Sequence, residues 1–199
     1  MRVKICGITN LKDALDAIDA GVAALGFVFY KKSARYITPS DAKKIIKQLS
    51  PFVQCVGLFV NETQSFVDET CAQACVDIAQ IITEEDSSYF NSLESKYIEV
   101  VRAKSKEDII NLSANKFYLV DAFVEEFGGS GKRVALEWFK DIDCSNLILA
   151  GGLKSGMLEE LKGYNFYALD VSSGVEISKG QKDKQKMINF LSDVNTVLG

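Results

Sequence analysis

This chain of 199 residues contains no histidine, so any proton chemistry near neutral pH falls to Cys, Asp, Glu, Lys or Tyr. Cys6, in "MRVKICGITN", draws attention first. Val3 and Ile5 are β-branched and mark residues 2 to 6 as a short strand, and Gly7 breaks it. The thiol therefore stands at the carboxyl end of a strand, where a βα unit presents working groups, although a free cysteine is more often a small buried hydrophobe. A nearby cation or helix N-terminus would pull its pKa down and make it a base. Asp121, in "FYLVDAF", follows an apolar strand, and partial desolvation there would raise its carboxyl into the range of a general acid; the plainer role is a cap for the next segment. An acid and a base facing one pocket suit an isomerisation.

Two glycine-rich stretches supply a different chemistry. "AGGLKSG" and "DVSSGVE" combine glycines that let backbone N–H groups approach a ligand with two serine hydroxyls, which together make a phosphate cradle. Its members are Gly151, Gly152, Ser172, Ser173 and Gly174, while Lys154 reads as a solvated surface residue. The stretch "FGGSGKR", after Asp121, reads as a lid or a substrate-contacting loop.

Composition narrows the partners. A formal charge of −4 and the absence of a polybasic run interleaved with aromatics exclude a nucleic-acid surface. No apolar run approaches the roughly 20 residues of a membrane span, and the N-terminus lacks a signal-peptide core, so a cytoplasmic protein is expected. The five cysteines are scattered, with no C-x-x-C and no histidine to complete a site, so neither disulfides nor a metal is expected.

The elements that must hold these groups repeat eight times. Strand-like runs ("RVKIC", "VAALGFVFY", "FVQCVGLFV", "VDIAQII", "YIEVVRA", "KFYLVDAF", "NLILAGGL", "FYALDVSSG") alternate with helical patterns, with Thr9 or Asn10 as the first cap and Asn61 as a later one. Eight units of about 25 residues imply parallel strands joined by helical crossovers and select a single-domain (β/α)₈ TIM barrel over residues 1–199, with an open doubly wound sheet as runner-up. The length leaves no room for a second domain. In a barrel the working groups lie at the carboxyl ends of the strands, which gathers Cys6, the segment 31–35, Asp121, Gly151, Gly152 and the 170–174 stretch at one mouth.

Those pieces, "KICGIT", "ALGFVFYKKSARYI", "VGLFVN", "GGSGK…EWF", "LAGGL" and "DVSSGVE…GQKDKQKMINF", resemble the phosphoribosylanthranilate isomerase family of tryptophan biosynthesis from end to end. The resemblance implies an Amadori rearrangement of a phosphorylated sugar without metal or organic cofactor. It also implies Asp121 as general acid on the ribose ring oxygen, Cys6 as base at ribose C2, and Arg35 facing the anthranilate carboxylate. The phosphate would rest on Gly151, Gly152, Ser172, Ser173 and Gly174. Relatives occur as monomers and as homodimers. The chain departs from the pattern at strand four, where Ile82 and Thr83 replace a His-Gly pair, and at Ala34, which replaces a proline. Rival expectations are a histidine-pathway sugar isomerase, which uses two aspartates, and a non-catalytic barrel that binds a phosphoribosyl ligand.

Overall fold

A computed structural model describes residues 1–122 and 134–199, which places the expected "GGSGK" loop outside the described residues. Eight strands carry the architecture: β1 (Arg2–Cys6), β2 (Ala24–Val28), β3 (Gln54–Val60), β4 (Ile78–Ile82), β5 (Tyr97–Ala103), β6 (Tyr118–Ala122), β7 (Leu147–Leu149) and β8 (Ala168–Val171). Neighbours pair in parallel in chain order, and β1 pairs with β8, with Lys4 opposite Asp170, so the sheet closes on itself. That ladder decides between the closed barrel and the open sheet, which periodicity alone could not do.

Local chemistry sets the first three crossovers. Helix α1 (Leu11–Ala20) starts where the Asn10 side chain accepts a hydrogen bond from Asp13 N and stops at Gly21, whose φ of 98° suits a residue without a Cβ. Helix α2 (Pro39–Ile46) is capped by Thr38 with Pro39 in its first turn. Helix α3 (Gln64–Ala74) is capped by Thr63, not by Asn61. Asn61 instead takes a left-handed φ of 50° and accepts from Glu84 N across the loops.

The second half is leaner than the repeat implied. Among the described residues, the crossovers after β4, β6 and β7 show short 3₁₀ segments (Ser87–Ser92, Leu136–Phe139, Leu158–Leu161), and α4 spans Glu107–Ile110. After β8 a 3₁₀ turn (Ser173–Val175) and a hairpin, β9 (Glu176–Ser178) and β10 (Gln181–Lys182), precede helix α5 (Lys184–Leu198).

Two apolar layers follow from strand alternation. Val3, Ile5, Leu25, Phe27 and Phe59 point outward and pack with Ala14, Ala17, Phe190 and Val194 of the helices. Leu119, Ile148, Ala150 and Ala168 fill the barrel interior. The residue two positions beyond an interior residue shares its face, so Asp121, after Leu119, and Asp170, after Ala168, are carried inward at the mouth.

Candidate active site

On β1, Lys4 and Cys6 share the inward face, and the register sets Cys6 against Gly26 of β2. A Cβ at Gly26 would stand 2.8 Å from Cys6 Sγ and 3.1 Å from Lys4 Cε, so the missing side chain is what lets thiol and ammonium lie side by side. Lys4 Nζ donates to both Asp170 oxygens at 2.8 Å, and both side chains are under 10% exposed. Cys6 is itself buried, at 6% exposure. The Arg35 side chain lies across Gly7, its Cδ 2.4 Å from where a Gly7 Cβ would be, and Gly7 has a φ of +82°.

Burial pushes the Cys6 thiol above its usual range; Lys4 and Lys182 pull it down, Asp170 raises it, and the cations do not win. The expectation that a neighbouring cation would leave the thiol below its ordinary value is therefore reversed by desolvation. Asp121 fits its expectation: burial raises its carboxyl to about 6, with Asp170 adding to the rise, while the N–H of Ala122, Arg102 and Lys4 oppose it. Burial disfavours the charge on Lys4, but Asp170 and Cys6 together more than restore it and raise the pKa of the ammonium.

Arg35 and the β9–β10 hairpin form a second buried network. Arg35 gives a fork to Glu176, Nε to Oε1 at 2.8 Å and Nη2 to Oε2 at 2.7 Å. Lys182, whose side chain is fully buried, donates to Glu176 Oε1 at 2.8 Å. Burial disfavours the Glu176 charge, and the two cations together still hold its pKa below the ordinary carboxylate value. Arg35 is thus brought to the mouth but held there by Glu176.

The loops after β7 and β8 meet as the sequence implied. Gly151 and Gly152 both have positive φ, 90° and 62°, and a Cβ on Gly174 would lie 1.9 Å from Leu153 O, so the two loops touch backbone to backbone. Ser172 Oγ donates to Cys6 O at 3.0 Å, tying β8 to β1. Ser173 is exposed at the start of a three-residue 3₁₀ turn. Ile82 ends β4, half-buried, its carbonyl accepting from Asn61 N. Beside it a cleft of about 560 Å³ is lined by Glu62, Glu84 and Glu85 among others, and three carboxylates repel an anion such as phosphate.

Sequence reasoning missed Lys4, Glu176 and Lys182. The signal for Lys4 was present, since it sits two residues before Cys6 in a strand and must share its face. Glu176 and Lys182 are brought together only by the hairpin. Among the described residues no group of His, Cys, Asp and Glu is placed to hold a metal ion, and no helix is long and apolar enough to cross a membrane.

Comparison with known proteins places this mouth in context. The family model for N-(5'-phosphoribosyl)anthranilate (PRA) isomerase matches residues 3–193. An N-(5'-phosphoribosyl)anthranilate isomerase of Nitratiruptor sp. is 57% identical over 191 residues, covering 96% of this chain and 97% of that protein. One of Sulfurovum sp. is 52% identical over 99% of this chain and 100% of its own length. The crystal structure of phosphoribosyl anthranilate isomerase from Thermus thermophilus superposes with a TM-score of 0.89 at 33% identity, covering 98% of this chain and 99% of that one. A phosphoribosyl anthranilate isomerase solved with reduced 1-(o-carboxyphenylamino)-1-deoxyribulose 5-phosphate superposes at 0.85 with 32% identity over 98% and 99%. The chain belongs to the N-(5'-phosphoribosyl)anthranilate isomerase family.

Proposed function

We propose that the barrel mouth performs the rearrangement for which the family is named, in tryptophan biosynthesis, with Cys6 and Asp121 as its two proton-transfer groups. Asp121 protonates the furanose ring oxygen of N-(5'-phosphoribosyl)anthranilate while the amine lone pair opens the ring to a Schiff base. The Cys6 thiolate then takes the proton from C2, giving an enolamine, and return of a proton to C1 with loss of the enol proton yields the 2-ketose. No redox step occurs, and the organic framework itself is the electron sink.

The observation that carries this is the pairing at one mouth of an inward carboxyl raised to about 6 with a buried strand-end thiol. One group must give a proton and the other take one, and a carboxyl shifted towards neutrality is a competent donor. The remaining roles follow from charge and shape. The backbone of Gly151 and Gly152, with Ser172, Ser173 and Gly174, is assigned to the 5'-phosphate. The Arg35 guanidinium has one terminal nitrogen beyond the two that Glu176 engages, and that nitrogen is assigned to the anthranilate carboxylate. No cofactor enters the scheme. The chain is proposed to work in the cytoplasm, as a monomer or homodimer.

Turnover of freshly prepared N-(5'-phosphoribosyl)anthranilate, followed by loss of its fluorescence, tests the reading. Steady catalytic loss is expected; binding without turnover by folded protein would leave a phosphoribosyl-binding barrel instead and overturn the enzyme.

A further inference from the structure

Lys4 has no part in the scheme above, yet its ammonium is buried and its charge acts on both the acid and the base. Barrel interiors are ordinarily filled by branched apolar residues, and a buried ion pair is no better for stability than apolar side chains of similar volume. This one sits two residues before the strand-end thiol on the same face, under an acidic partner from β8 that binds it with both oxygens at 2.8 Å. Gly26 is not among the glycines with positive φ, so its backbone does not require glycine. The space does: a Cβ there would crowd both Cys6 Sγ, at 2.8 Å, and Lys4 Cε, at 3.1 Å.

We propose that Lys4, clamped by Asp170 and seated over Gly26, is a positioning residue that supplies the counter-charge for the Cys6 thiolate. The proposal rests on Cys6 being the base. Ionisation of Cys6 adds a second negative charge beside an ammonium that Asp170 has already fixed in place, so no reorganisation is needed as the thiolate forms. The groups facing the thiol are Lys4 from β1, Asp170 from β8, Lys182 from β10 and Arg35 from the segment after β2; Lys4 is the strongest of the cations acting on it. Asp121 is faced by Asp170, Arg102 and Lys4, so the same ammonium acts on both proton-transfer groups.

The test is the pH dependence of Cys6 alkylation by iodoacetamide in the full chain, quantified for the Cys6 peptide by mass spectrometry so that the exposed Cys75 does not contribute. Lys4→Met is expected to move the midpoint up by about one pH unit or more, roughly a tenfold loss of thiolate at fixed pH. Asp170→Asn, which removes only negative charge, is expected to move it down, and the alkaline limb of kcat/KM should follow in each variant. A purely structural pair would not shift the midpoint in opposite directions. An unchanged midpoint in either folded variant, or a shift in the wrong direction, overturns the proposal, and Asp170→Asn decides alone where Lys4→Met fails to fold. If Cys6→Ala retained full turnover, the base assignment would fall while the alkylation midpoints still reported on Lys4.

Discussion

Cys6 and Asp121 are displaced in the same direction for the same reason, since desolvation at the barrel mouth disfavours the charged form of the buried thiol and of the half-buried carboxyl alike. The consequence for catalysis is specific. Productive chemistry needs a protonated Asp121 and an ionised Cys6, but the carboxyl, near 6, loses its proton before the raised thiol does. Below about pH 6 both groups hold protons and no base exists; above the thiol pKa both are bare and no acid exists. Between these limits the pair holds one proton, with a small constant share of molecules carrying it on Asp121. The profile of kcat/KM should therefore be a bell with its acid limb near 6, and that limb should vanish in Asp121→Asn. An acid limb unmoved by that substitution would assign it elsewhere. At this scale the placement of Cys6 and Asp121 at the mouth was legible, because a strand-end cysteine and a strand-end aspartate need only the strand assignment. The sequence was silent about burial, which reverses the expected direction for the thiol, and about Glu176 and Lys182, whose partners are remote in the chain.

The β9–β10 hairpin is the element that the periodic reading passed over, since strands of three and two residues around a two-residue turn are too short to carry a helix or strand period. It nevertheless holds Glu176 between Arg35 and Lys182. Glu176→Gln leaves two buried cations facing a neutral amide. Denaturant unfolding should show a loss of about 3 kcal/mol or more, and KM should rise as Arg35 loses its brace; unchanged stability with unchanged KM would show the clamp to be idle. The contact between the β7 and β8 loops makes a separate prediction. In Gly174→Ala the new methyl meets Leu153 O, so the two loops must part. KM, and the inhibition constant of inorganic phosphate, should each rise about tenfold, equivalent to ~1.4 kcal/mol; equal affinities would remove these loops from the phosphate site. The strands were legible because apolar runs bounded by polar turns are a short-range signal. The later crossovers were not, because residues such as Leu158 and Leu161 pack as well from a single 3₁₀ turn as from a longer helix.

For the whole molecule, closure is the property that turns scattered strand ends into one site. It rests on the β1–β8 ladder and on an outer core in which Phe27, Phe59, Phe139 and Phe190 are all but fully buried. Phe27→Ala should cost about 3–5 kcal/mol and lower Tm by about 10 °C without moving the pH limbs, because Phe27 faces the helices and not the mouth; a shifted acid limb would contradict the separation of the two layers. Eight repeats in the sequence implied this closure without proving it, since the hydrogen bonds that join the first strand to the last leave no local trace. The central claim is tested most directly by single-turnover conversion of N-(5'-phosphoribosyl)anthranilate in wild type, Cys6→Ala and Asp121→Asn, with binding of the reduced product analogue measured on the same preparations. The account predicts analogue binding by all three proteins and a loss of about 10²–10⁴-fold in the chemical step for each variant. Conversion at the wild-type rate by either folded variant would contradict it.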